Sequence, residues 1–181
     1  MREGVLPVRK IVIAGVLSAI AILLGWTRLG FITVPTVVAD ATIMHVPVIV
    51  GGVMEGPVVG GIVGLIFGIF SFIQGTIPAF KDPLVAILPR LFIGVAAWLV
   101  YAAVKRLNQT VAVVLGSVAG SLTNTVGVLG MGVLRGYWPA GPAVAVGVAQ
   151  GIPEAILAAL ITTAVVVVWK RIDTGRGEAK M

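Results

Sequence analysis

The sequence predicts an all-α integral membrane protein: six transmembrane helices in a compact bundle, with both termini in the cytoplasm. Three observations carry that expectation. Of 181 residues, 59% are hydrophobic and only 11% are charged, against about 25% charged in soluble domains. The apolar residues fall into runs approaching the roughly 20 that cross a hydrocarbon core. Lys and Arg collect between those runs, so the net charge of +6 reads as a set of topology signals and not as a nucleic-acid surface.

Breaks at polar, Pro and Gly positions delimit six spans within one transmembrane domain covering 1–181: residues 10–26, 40–54, 57–74, 83–105, 111–134 and 142–169. The first follows Arg9 and Lys10, and it reads as a retained helix because the rest of the chain is as apolar as it is. The second is short and ends in "MEGP", a tight turn that sets Pro57 at the first position of the third helix. That third helix repeats Gly60, Gly64 and Gly68 on one face, the small-xxx-small spacing that lets backbones approach closely in lipid. The fourth contains Arg90 and the fifth the polar run at 121–125. The sixth carries Pro153, whose missing N–H predicts a kink.

Orientation follows from the connections. With six spans the termini share a side, and there lie Arg2, Arg9, Lys10, Lys105, Arg106, Lys170, Arg171, Arg176 and Lys180. Opposite them stand only Arg28, Lys81 and Arg135. Nine against three places both termini in the cytoplasm.

Polar side chains inside a span are costly and usually face a cavity or a partner. At 1.5 Å per residue from the outer helix ends, His45 lies roughly 8 Å deep, Arg90 about 10 Å, Gln150 about 12 Å, Asn124 about 15 Å and Glu154 about 17 Å. They come from four helices yet all fall in the outer half or near the midplane, which predicts a polar pocket open to the outside. Gln74, Trp26 and Trp138 stand at its rim, where the tryptophans serve equally as interface anchors. Arg90 and Glu154 form either a neutralising pair or part of the site.

Other classes are excluded. There is no G-x-x-x-x-G-K-[ST], so ATP is not bound by a P-loop. H-E-x-x-H and G-x-S-x-G are absent, cysteine is absent, and one histidine does not make a zinc centre. No cofactor, metal or enzymatic activity is expected. A stand-alone secondary carrier would show an inverted repeat and a carboxylate relay; the halves do not mirror each other, and Glu154 is the only acid in a span interior.

Four stretches resemble one family: "MHVPVIVGGVMEGPVVGGIVGLIFG" at 44–68, "AILPRLFIG" at 86–94, "SLTNT" at 121–125 and "GIPEAILAAL" at 151–160. Together they look like the substrate-capture subunits (S components) of energy-coupling factor transporters. The resemblance is strongest to the pantothenate- and pyrimidine-type branch, and covers nearly the whole chain. It implies capture of a vitamin near the outer face, beneath the loops joining helices one to two and three to four. Pantothenate is the ligand it favours; hydroxymethylpyrimidine, folate and cobalamin remain alternatives. His45, Gln74, Arg90, Asn124, Gln150 and Glu154 are the expected contacts. It further implies a membrane coupling protein and two cytoplasmic ATPases as partners, with delivery by tilting in the bilayer. The family's A-x-x-x-A docking motif falls here on Ala14-x-x-x-Ser18, with Gly15-x-x-x-Ala19 beside it.

Overall fold

The computed structural model describes residues 6–32 and 41–178, with side chains described as far as Trp169 and those of Ile32 and Ala41 excepted. Helix α1 (Val8–Trp26) leads to a two-residue antiparallel ribbon, β1 (Phe31–Ile32) and β2 (Ala41–Thr42), in which Phe31 faces Thr42. Then come α2 (Val46–Glu55), α3 (Pro57–Gln74), a 3-10 turn (Pro78–Lys81), α4 (Pro83–Ala86), α5 (Leu88–Val104), α6 (Gln109–Leu134) and α7 (Ala140–Glu178).

Five segments are long and apolar enough to cross a membrane: α1, α3, α4 with α5, α6, and α7 as far as Trp169. The expected second span, 40–54, differs from what is observed. Residue 40 lies outside the described residues, 41–42 belong to the ribbon, and the helix is 10 residues long, about 15 Å at a helical rise. That is half a hydrocarbon core. Eight of the ten residues are buried, because α2 packs among α1, α3, α5, α6 and α7 rather than against lipid. It reaches the end of the bundle where Glu55 meets Arg9 of α1, Nη2 to Oε1 3.4 Å. His45 therefore precedes a helix that puts it about 15 Å from the Glu55 end of the bundle.

The "MEGP" turn forms as the sequence indicates. Gly56 takes φ +100°, a conformation that a side chain disfavours, and Pro57 opens α3. The glycines of α3 do close packing. A Cβ on Gly60 would lie 2.8 Å from Gly52 Cα of α2 and 2.9 Å from Gly94 Cα of α5, so three backbones meet there. Gly64 is pressed against the backbone of Arg90, and Gly68 against that of Ile87.

The fourth span is broken into α4 and α5 by Pro89, since a proline two residues into a helix has no N–H for the preceding turn. Asp82 caps α4 through Leu84 N–H, 3.0 Å. Its other oxygen accepts from Arg135 Nε at 2.6 Å and from Tyr137 at 3.4 Å, tying the α3–α4 connection to the α6–α7 connection. Asn108 caps α6 at Val111 N–H, 3.0 Å. Helix α7 runs through Pro153 without interruption. Apolar side chains such as Ile11, Val16, Leu23, Val126, Ile152 and Leu160 stay exposed around the bundle, as a lipid-facing perimeter requires.

Candidate functional site

The polar groups are organised by what proline and the ribbon leave unsatisfied. Pro89 cannot donate to the carbonyl of Val85 four residues earlier. Arg90, the next residue, donates to that carbonyl instead, Nη1 to O 2.6 Å. The guanidinium is 5% exposed and lies over two aromatic faces, 5.8 Å from the Phe67 centroid and 5.1 Å from that of Phe80. Its Nε has no hydrogen-bond partner, and among the described residues no carboxylate pairs with it.

Glu154 follows Pro153 on α7 and is 6% exposed. Its Oε1 accepts from Thr42 N–H at 2.8 Å and from Thr42 Oγ1 at 3.0 Å; its Oε2 accepts from Thr125 Oγ1 of α6 at 3.3 Å. The Arg90–Glu154 pair considered from the sequence does not form. Hydroxyl and backbone donors hold the carboxylate, while a carbonyl and two rings hold the guanidinium. One turn from Thr125, Ser121 Oγ lies 3.1 Å from His45 Nε2. His45 is fully buried, and among the described residues its Nδ1 has no partner. Asn124 is half-buried and its Oδ1 is likewise unpartnered.

Of the expected contacts, Glu154 and His45 thus meet neighbouring positions on one face of α6, joined by Thr42, Ser121 and Thr125. Asn124 stands next to that face. Gln150 is half-buried one turn before Glu154. Gln74 is exposed at the last residue of α3 and is not part of the cluster; its terminal position leaves it beyond the packed interior. Ser121 and Thr125 repeat at i, i+4 on α6, a spacing that marks one helix face. Thr42 carries no such signal, because a loop residue's depth has no periodicity to betray it. The ribbon that bears Thr42 packs on α7, and Thr42 bonds Glu154 through both its N–H and its hydroxyl. A hollow of about 430 Å³ is found at the other end of the bundle.

The docking positions also divide. Ala14 and Ser18 are 5% and 4% exposed, turned into the bundle where α1 packs on α2 and α3. Both positions take part in packing within the bundle. Gly15 and Ala19 face outward, with nothing within 4 Å of the place where a Gly15 Cβ would stand.

Apolar helices long enough to cross a membrane, packed around a buried polar cluster, define a multi-pass membrane protein. The family model for the substrate-specific component of the ECF transporter matches residues 9–166, and the chain belongs to that family. It is therefore a transporter component and not an enzyme. The chain is 31% identical over 108 residues to the pantothenic acid transporter PanT of Lactococcus lactis subsp. cremoris, strain MG1363, a match that takes in 49% of this chain and 54% of that protein. The match thus spans about half the length of that relative. A solved structure of ThiT from Listeria monocytogenes superposes with a TM-score of 0.68 over 90% of this chain and 95% of that one, at 15% identity, so the two share a fold.

Proposed function

We propose that this protein captures pantothenate on the outer side of the membrane and passes it to a coupling protein driven by two cytoplasmic ATPases. The observation that carries the reading is Arg90: a guanidinium 5% exposed, held by one carbonyl and two aromatic rings, with no carboxylate partner among the described residues. A buried cation of that kind lacks a counter-charge, and a carboxylic-acid ligand supplies one. Pantothenate adds an amide and two hydroxyls to its carboxylate, groups that suit Asn124, His45, Gln150 and Glu154. The partial match to a pantothenic acid transporter agrees with that choice. The excess of Lys and Arg on one side supports cytoplasmic termini with the ribbon outside. Ligand entry then exchanges the Thr42–Glu154 bonds for ligand bonds and displaces the ribbon. Docking falls to the outward face of α1 that carries Gly15 and Ala19.

The test is calorimetric titration of the purified protein. Pantothenate is expected to bind below micromolar, and pantothenol, which has an alcohol in place of the carboxylate, on the order of 100-fold more weakly. Arg90→Gln should abolish most of that discrimination. Binding of both compounds no tighter than micromolar, or equal affinity for the two in the unmodified protein, would remove this assignment.

A further inference from the structure

The end of the bundle away from the ribbon holds a feature that solute capture does not use. A hollow of about 430 Å³ opens between the start of α1, the α2–α3 turn and the last turns of α5. Lys10, half-buried, and Lys105 both line it. Lys105 Nζ is held 5.7 Å over the ring of Tyr101, which also lines the hollow. The one carboxylate on the wall, Glu55, is already engaged by Arg9 and its side chain is 8% exposed. Among the described residues neither lysine has a carboxylate partner. The first turn of α3 faces the same space at Val58. Its N-cap is Gly56, which offers no side-chain acceptor; Pro57 has no N–H and the Gly60 N–H bonds the Gly56 carbonyl, which leaves the Val58 and Val59 N–H groups to meet an anion. The remaining wall is apolar or aromatic, from Met54, Val58 and Trp98.

Two cations with no carboxylate partner among the described residues, a helix start and an apolar floor define the ligand chemistry. We propose that this hollow binds a phosphate-bearing anion, supplied either as the headgroup of an anionic phospholipid or as a soluble phosphate. The phosphate oxygens take the two ammonium groups and the free N–H groups of α3. Trp98 and Tyr101 sit where aromatic side chains meet the headgroup layer, and the apolar floor suits the glycerol and first methylenes of a lipid. The site is separate from the His45–Glu154 cluster and stands or falls independently of vitamin capture.

The experiment uses the full chain, delipidated in a neutral detergent and offered equal amounts of phosphatidylglycerol and phosphatidylcholine, with retained lipid counted by native mass spectrometry. Phosphatidylglycerol should be retained preferentially. The Lys10→Gln/Lys105→Gln double variant should lose that preference by roughly ten- to thirty-fold, whereas Lys81→Gln, at the ribbon end, should keep it. In a second arm inorganic phosphate is titrated into protein in phosphatidylcholine nanodiscs and read by tryptophan fluorescence. Lipid preference without a phosphate response assigns the membrane source. A saturable phosphate response that the double variant lacks assigns the soluble one. Equal retention of the two lipids with no phosphate response overturns the proposal. So does a preference that survives the double substitution or falls equally in Lys81→Gln.

Discussion

Pro89 and Arg90 show how one residue's deficit fixes the next residue's position. Removing an N–H from α5 frees the Val85 carbonyl, and the neighbouring guanidinium takes it up at 2.6 Å. The Arg90 guanidinium is thereby set over the Phe67 and Phe80 rings. The sequence shows that a charge lies within the span; it does not show what the charge touches. Glycines give a sharper test at the same scale. Gly60→Ala should lower the protein's melting temperature, corresponding to about 1–3 kcal/mol, because the new methyl meets Gly52 and Gly94 backbone at 2.8 and 2.9 Å. Gly61→Ala, with nothing within 4 Å, should leave it unchanged or slightly higher. Thermal unfolding in detergent compares the two. Equal behaviour would mean that the three-backbone junction is not a tight contact.

Among the elements, α2 departs furthest from its sequence reading. Hydropathy continues from Ala41 to Val53 without showing where helix begins, so the ribbon and the helix merge into one apparent span. What separates them is Pro47 in the first turn of α2 and the pairing of Phe31 with Thr42 across the connection after α1. The Asp82 clamp is the opposite case, a short polar link joining two connections. Arg135, hydrogen-bonded to it, holds the Asp82 carboxyl below the usual carboxylate range, against the opposing effect of burial. A carboxyl depressed in the folded state contributes stability that is present above its unfolded value, about 3.9, and that is lost as pH falls through the lower folded value. Asp82→Asn should therefore melt below the unmodified protein at neutral pH, with the gap closing under acid. Melting curves from neutral pH downward check this, and a gap that widens in acid would contradict it.

For the whole molecule, the division of α1 into a buried and an open face decides what other chains can reach. Ala14→Leu should destabilise the isolated subunit, since its methyl is packed in the interior. Gly15→Leu should leave melting and pantothenate affinity intact yet weaken co-purification with the coupling protein by tenfold or more, a loss of about 1.4 kcal/mol. Co-purification unaffected by Gly15→Leu would place the docking surface on another helix. The same inward–outward partition explains why both small-xxx-small registers were visible in the sequence and why only one of them is open: spacing defines a stripe, and neighbours decide which stripe they cover.

The sequence by itself determined the membrane class, the helix ends at Gln74, Leu134 and Trp26, the "MEGP" turn and the membership of Arg90, His45, Asn124 and Glu154 in the interior. Those features rest on local physics: hydropathy, turn chemistry and the cost of burying charge in hydrocarbon. Only the tertiary structure decided that α2 is half a span and that Glu154 bonds Thr42 and Thr125 rather than Arg90. Each of those outcomes depends on which group arrives from a distant part of the chain, and a one-dimensional pattern carries no record of that arrival.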